Sequence, residues 1–337
     1  MTYQCTAECD HCRFKCSTKL SPVINFDMAM RCVTDLKKLN NLDLVVLLGG
    51  EPGLFPDLTH TLTAAIRQLD IAVRIETNAS YAISEERAYD FLHPLYALDA
   101  SVMFSLDAFH EDLIPLNRIR NAIQVSHAEG GEYCFEMAYL DVSRRDHPRD
   151  KRTDALLTEL KQQLPHCVPS KIYQGNVLFN GRAAAKLAPL VSAGRGLPED
   201  ACTAVPWWHH GDLDTLELLI LDAEGFLSKG CGIAIANIST TPVSQTLHNF
   251  DARQHPIFSV LMEAGPRGFI KEAETLGYAL KPDYADKCHL CQEVREVLQS
   301  SYPEFLVPNQ HFATCDSYSS VSNFLNSSSS MIVTPSC

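Results

Sequence analysis

The sequence is short of the features that mark membrane, exported and nucleic-acid-binding chains. No apolar run approaches the ~20 residues of a bilayer-crossing helix, and no basic stretch followed by an apolar one precedes the first cysteine, Cys5. Neither a membrane span nor a removable signal peptide is expected, which points to the cytoplasm. Positive charge is scarce as well: 28 Lys and Arg stand against 41 Asp and Glu, a formal −13. Nucleic-acid grooves rely on clustered Lys and Arg to displace counterions, so that class of partner is excluded. Cysteine, by contrast, is abundant. Thirteen in a reducing compartment are too many for core filler, and that compartment disfavours a disulfide framework, so metal or iron–sulfur ligation leads.

At 337 residues the chain can bury one large core with a smaller appendage. From the start to about residue 185, short apolar runs alternate with helical periods, as in a parallel sheet built of strand–helix units. Strands are expected at 44–48, 72–76, 101–105, 133–140 and 171–178, with helices at 27–39, 58–69, 85–98, 117–128 and 154–164 and a weak one at 183–191. Counting the opening residues as a strand gives six steps, a partial barrel rather than a closed eight-stranded one. Sites belong at the carboxyl ends of such strands.

Three thiols in Cys5-x3-Cys9-x2-Cys12 sit in a loop after the first segment. They suit three corners of a cubane cluster, leaving the fourth iron open to chelate a ligand. Zinc remains an alternative, although its loops usually want four ligands, which would recruit Cys16. Three strand ends add to the pattern: Gly49-Gly50-Glu51-Pro52, Thr77-Asn78 and Ser105-Leu106-Asp107.

In this combination and order, residues 1–190 resemble the radical S-adenosylmethionine (SAM) superfamily. The resemblance implies a partial (β/α)6 radical SAM barrel and a [4Fe–4S] cluster on Cys5, Cys9 and Cys12. It also implies SAM contacts from Gly49, Gly50, Glu51, Pro52, Asn78, Ser105 and Asp107, with the Glu51 carboxylate complementing the SAM ammonium. His11 occupies the place of an aromatic residue packed near the adenine, or is an exposed loop residue.

From about 192 the texture changes. Residues 216–221 and 225–227 read as a hairpin, and Cys202, Cys231, Cys288 and Cys291 recur around it. The layout is similar to the twitch or SPASM auxiliary-cluster domains of some radical SAM enzymes, which implies a second [4Fe–4S] cluster. A structural zinc, or a C-x2-C without metal, are the competing readings. The division expected is a barrel at 1–191, a small cysteine-rich module at 192–316 and a disordered tail at 317–337. Cys32, Cys134 and Cys167 read as buried small hydrophobes, while Trp207-Trp208-His209-His210 reads as a substrate entrance or an inter-module contact.

The function implied by the resemblance is reductive cleavage of SAM to a 5′-deoxyadenosyl radical that abstracts hydrogen from a substrate. A peptide or protein side chain comes first as that substrate; a small-molecule dehydrogenation or carbon–carbon bond formation comes second. An electron donor of the flavodoxin or ferredoxin kind is expected as partner. No residue is singled out as catalytic. A non-catalytic iron–sulfur or zinc protein is the rival from another class, and it leaves the ordered strand-end motifs without a reason.

Overall fold

The computed structural model describes residues 1–39, 42–205 and 211–308. The Trp207–His210 tetrapeptide, Cys315, Cys337 and the expected tail lie outside the described residues.

The first half runs α1 (Phe26–Leu39), β1 (Leu44–Leu47), α2 (Pro56–Arg67), β2 (Ala72–Thr77), α3 (Glu85–Ala97), β3 (Ser101–Ser105), α4 (Ala108–Glu111), α5 (Leu116–Ala128), β4 (Tyr133–Tyr139), α6 (Pro148–Gln163), β5 (Ile172–Asn176) and α7 (Arg182–Lys186). The five strands form one parallel sheet in the order 1-2-3-4-5. This is the α/β architecture expected from the alternation of periods.

Strand alternation divides the sheet into two faces. Val73, Ile75, Val102, Phe104, Phe135 and Met137 enter a core shared with helix residues such as Leu62, Leu92, Ile123 and Leu156. The intervening positions are largely polar. Glu76 registers with Met103, Ser105 with Glu136, and Glu136 with Tyr173, so one sheet face gathers side chains that a core would reject.

Helix ends follow local chemistry. The Asn25 side chain accepts from Met28 N at 3.0 Å ahead of α1, whose last turn carries Lys37 and Lys38. α6 begins at Pro148, six residues before the expected start, because the His147 ring caps it and proline suits the first helical position.

The opening residues are not a regular sixth strand. They are stitched beyond the end of β1 by Met1 N to Leu48 O at 2.6 Å, Gly50 N to Thr2 O at 2.6 Å and Glu51 N to Gln4 O at 3.0 Å. The stitching explains both glycines. A Cβ on Gly49 would fall 2.4 Å from Thr2 O, and one on Gly50 would fall 1.9 Å from Gln4 O.

The second half holds the short antiparallel pair β6 (Ala204–Val205) and β7 (Gly211–Asp212), followed by β8 (Ile220–Leu221), β9 (Phe226–Ser228) and β10 (Ala234–Asn237) in a three-stranded antiparallel sheet. The β8–β9 turn is the hairpin read from the sequence. Beyond it come α8 (Val243–Asn249), α9 (Pro256–Ala264), α10 (Ile270–Thr275) and α11 (Lys287–Leu298), which the sequence reading did not assign. With Ile233 and Leu306, α9, α10 and α11 build a second core around Phe258, Leu261, Phe269 and Val294, while Val243 of α8 clusters with Cys32 and Leu227. That region therefore has more apolar support of its own than its texture suggested. Among the described residues, no helix is long and apolar enough to cross a membrane.

Candidate active site

The cysteine loop leaves the opening segment at Cys5 and is held by the chain that follows β5. The backbone N–H of Arg182 donates to Cys12 O at 2.9 Å, while its guanidinium donates to Cys9 O and Cys16 O, each at 2.7 Å. Gly181 precedes it with φ +57°, and a Cβ there would lie 2.2 Å from Arg13 O. Only glycine meets both demands. The Gly181 N–H in turn donates to the Gln292 side chain of α11 at 3.1 Å.

Cys5 and Cys9 are buried and Cys12 is half-buried. Burial, then the charge of Glu51, push the Cys5 thiol up. Cys12 moves the other way: the hydrogen bond from the Cys16 thiol lowers it against the effect of burial, and the Arg182 charge helps. A cation beside the loop favours thiolate, the form that binds iron. Cys16, 1% exposed, is thus a neighbour of Cys12 as well as core filler.

Cys5, Cys9, Cys12 and His11 line a cavity of about 1210 Å³ together with Gly49, Gly50, Asn78, Ser105 and Asp107. Asn78 is aimed at the loop, its Nδ2 lying 3.6 Å from Cys5 Sγ and 3.4 Å from Thr6 Oγ1. His11 is half-buried rather than an exposed loop residue. Its ring packs 5.0 Å from Phe109 and edge-on to His110, burial lowers its pKa to about 4, and its Nδ1 has no hydrogen-bond partner.

Three residues expected to contact SAM, Glu51, Pro52 and Asp107, have structural partners within the chain. Glu51 is fully buried and outside the cavity lining. Its carboxylate accepts from Gly53 N and Thr77 Oγ1, each at 2.7 Å, and from Asn78 N at 2.9 Å, tying the end of β1 to the end of β2. Burial raises its pKa and those three donors oppose the rise. Pro52 beside it is buried and opens a short 3-10 turn. Asp107 reaches the cavity wall, but its carboxylate caps α4 through Phe109 N and His110 N and pairs with the His110 ring at 3.0 Å. Burial would raise Asp107; the His110 and His11 rings outweigh it and hold the pKa low.

Among the acidic residues that line the cavity is Glu76, the residue before Thr77-Asn78. Its Oε1 is buried without a hydrogen-bond partner, and burial followed by the nearby Glu136 charge raises its pKa, against Arg74 and Arg13. The sequence reading passed it over as a strand residue, although its alternation with Val73 and Ile75 was visible. Arg182 carried no periodic signal at all.

The second cysteine set also assembles. Cys202 and Cys231 pack against the second core, Cys288 opens onto the same cavity as the cysteine loop, and Cys291 follows one turn along α11. Burial and then Cys231 and Cys291 push Cys202 up to about 12, and burial, Asp286 and the other three thiols raise Cys288. A tetrahedral zinc site with 2.3 Å bonds brings its sulfurs within about 3.8 Å of each other. Among the described residues, ligand atoms in groups of three or more lie within 4.8 Å only at His11, Asp107 and His110, where the Asp107–His110 ion pair accounts for the approach. Both cysteine sets are spread more widely than a single ion requires.

Residues 1–168 match the model of the Radical SAM superfamily. Among curated proteins, "Putative peptide biosynthesis protein YydG" of Bacillus subtilis (strain 168) is 22% identical over 159 residues, which is 47% of this chain and 47% of the relative; the chain thus aligns with about half of that protein's length. Among solved structures, "Native anSMEcpe with bound AdoMet and Kp18Cys peptide" aligns over 90% of this chain and 95% of its own, with 13% identity and a TM-score of 0.50. Streptococcus suis SuiB bound to precursor peptide SuiA aligns over 92% of this chain and 74% of its own, with 14% identity and a TM-score of 0.42.

Proposed function

Because residues 1–168 of this chain belong to the radical SAM superfamily, we propose that the protein is a radical SAM enzyme that abstracts hydrogen from a peptide or protein side chain. One observation carries the reading: the three-cysteine loop, the three strand ends and Cys288 of the second set all line a single cavity large enough for SAM and part of a substrate.

Cys5, Cys9 and Cys12 are the ligands of the first [4Fe–4S] cluster, and three thiolates with one open iron are what SAM chelation needs. When bound and reduced by a flavodoxin- or ferredoxin-type donor, such a cluster would supply the electron for reductive cleavage of SAM. This chain's residues do the rest. Arg182 fixes the loop and biases it toward thiolate, and Asn78 donates toward the Cys5 sulfur. Gly49, Gly50 and Ser105 form walls on which the SAM amino-acid group lies, and Glu76 is one of the carboxyl groups available to its ammonium, whose charge would favour the ionised form against burial. The His11 ring, backed by Phe109, offers a flat face to the adenine.

Cys202, Cys231, Cys288 and Cys291 hold a second [4Fe–4S] cluster at the edge of the same cavity, in a module that we divide from the barrel near residue 192. Their wide spacing and the opening at Cys288 support a cluster over a structural zinc. The peptide substrate is supported by the names of the relatives, "Putative peptide biosynthesis protein" and a structure "with bound AdoMet and Kp18Cys peptide". Oxygen-sensitive clusters and reduced thiols accord with work in the cytoplasm.

The test is anaerobic reconstitution with iron and sulfide, addition of dithionite and SAM, and chromatography for 5′-deoxyadenosine. Wild type should form it, and the Cys5/Cys9/Cys12→Ala variant should not. Formation in that variant overturns the assignment. Deuterium carried from labelled peptide into 5′-deoxyadenosine reports the substrate class.

A further inference from the structure

β1 is an edge of the parallel sheet and pairs within it with β2 alone. The opening residues cover only its far end, where Met1 N donates to Leu48 O. The ladder decides which backbone groups stay open. Ala72 N donates to Asp43 O at 3.0 Å, so the odd-numbered residues of β1 bond to β2 and the even-numbered ones face away. Leu48 obeys that parity, since its carbonyl turns to Met1. Leu44 and Val46 obey it too, and among the described residues no backbone group meets theirs on that side. Together with Val45 they are only half-buried.

A cavity of about 660 Å³ runs along this edge. Its opposite wall is residues 216–221, all aliphatic but Glu217, which end in β8, itself an edge of the antiparallel sheet. Two sheet edges thus border one apolar gap, and a bare edge is a template for another strand. Among the described residues, the charged side chains lining the gap are all acidic: Asp43, Glu76, Glu217 and Asp222. The basic group there is the Met1 amine, which Leu48 O engages. Asp43 and Glu217 are exposed, and Glu217 also attracts the buried Lys229. At the carboxyl end of β1 the gap shares Phe14, Leu48, Gly49 and Glu76 with the cavity of the cysteine loop.

We infer that this gap is a docking groove for the peptide substrate, which adds as a strand to the β1 edge and carries aliphatic side chains flanked by Lys or Arg. The inference rests on the peptide-modifying reading and gives it a recognition element away from the reacting atoms. Backbone bonds to Leu44 and Val46 hold the strand, the aliphatic walls accept its side chains, and Asp43 and Glu217 attract its basic flanks. The four residues of β1 span about 13 Å, so about four or five peptide residues separate the outer anchor from the one delivered to the SAM cavity.

The test uses the full-length holoenzyme and synthetic peptides of about ten residues, long enough to cover β1 and both flanks. One has a central valine–isoleucine run flanked by lysines, one has the same run flanked by glutamates, and one is the lysine peptide N-methylated throughout the run. Hydrogen exchange is read at single amides by electron-transfer fragmentation, and affinity by fluorescence anisotropy. The free enzyme should exchange Leu44 and Val46 faster than Val45 and Leu47, and the lysine peptide should slow the first pair. That peptide should bind about tenfold or more tighter than either of the others. Asp43→Lys/Glu217→Lys should reverse the preference between lysine and glutamate flanks. Val46→Pro removes the outward donor while keeping the β2 ladder, and should weaken the lysine peptide to the level of its N-methylated form. Equal affinity for all three peptides, or binding that leaves Leu44 and Val46 unprotected, overturns the groove. Protection of both amides before any peptide is added overturns it as well, because residues beyond Pro308, which lines the gap, or a second copy then hold the edge. A wild-type enzyme that forms no 5′-deoxyadenosine sinks the enzymatic reading instead, whatever β1 shows.

Discussion

The guanidinium of Arg182 donates to the carbonyl of Cys9 at 2.7 Å, across 173 residues of sequence. With its second arm on Cys16 and its own N–H on Cys12, this one residue fixes the loop that carries three candidate iron ligands. Replacing it leaves buried carbonyls without donors, each worth about 1–3 kcal/mol. Arg182→Met should therefore cost about 3 kcal/mol or more in denaturant unfolding of the apo-protein. It should also lower anaerobically reconstituted iron from about eight toward four per chain. Unchanged iron content would show that the loop holds its shape without the clamp.

The approach of the opening segment to β1 leaves no room at Gly50, where an added Cβ would meet Gln4 O at 1.9 Å. Backbone cannot swing aside as a flexible side chain can. Gly50→Ala should displace residues 1–5, cost on the order of 2–4 kcal/mol, and speed amide exchange in that segment. A protected opening segment in the variant would mean that β1 gives way instead.

Glu51 and Glu76 should separate cleanly. Glu51 anchors three donors away from the cavity, so Glu51→Ala should destabilise the fold by several kcal/mol, because Gly53 N, Thr77 Oγ1 and Asn78 N lose their acceptor. Glu76→Gln should leave stability nearly unchanged and weaken SAM binding about 10- to 100-fold, the worth of a charge-assisted bond. Equilibrium dialysis with SAM on the loaded protein checks both. Equal SAM affinity in Glu76→Gln would remove that carboxylate from the binding site.

Lys229 is wholly buried, its ammonium donating to Thr215 O, and burial lowers its pKa to about 8 against the attraction of Glu217, Asp212 and Asp214. Because the folded pKa lies below the unfolded one, the unfolded chain binds more protons between about pH 8 and 10.5. Lys229 thus penalises folding at neutral pH, and the penalty fades as pH rises through that window. Lys229→Met should be the more stable protein at pH 8, with the gap to wild type shrinking by about 2 kcal/mol by pH 10. Parallel urea titrations of the two apo-proteins measure this; a gap independent of pH would place the lysine's ordinary pKa in the folded state.

Much of the fold was legible because period and punctuation agreed. β1, α3, β3 and α5 fall within two residues of their expected bounds, each with an unbroken apolar pattern between turn residues. α6 was harder because its first turns are charged and its start depends on a His147 cap, an unusual capping residue. Helices α9 to α11 were missed because their apolar positions serve a second core whose other walls come from distant segments such as Leu306. At the site, the cysteines were legible from spacing alone. The directions of side chains were not: Glu51 and Glu76 are both acids at strand ends, and only the alternation of β2 and the turn after β1 decide which one meets the cavity. Arg182 escaped notice because it acts on backbone carbonyls far away in sequence.

The hydrogen bond from Gly181 to Gln292 has a bearing on biogenesis. The cysteine loop is synthesised ahead of its clamp, which arrives with residues 181–182. The support for that clamp arrives only with α11, beside the Lys15–Glu296 ion pair at 2.9 Å. During synthesis from the N-terminus, the three thiols consequently wait unheld while the intervening residues emerge. Iron delivered before α11 is made would find a loop still without its final form.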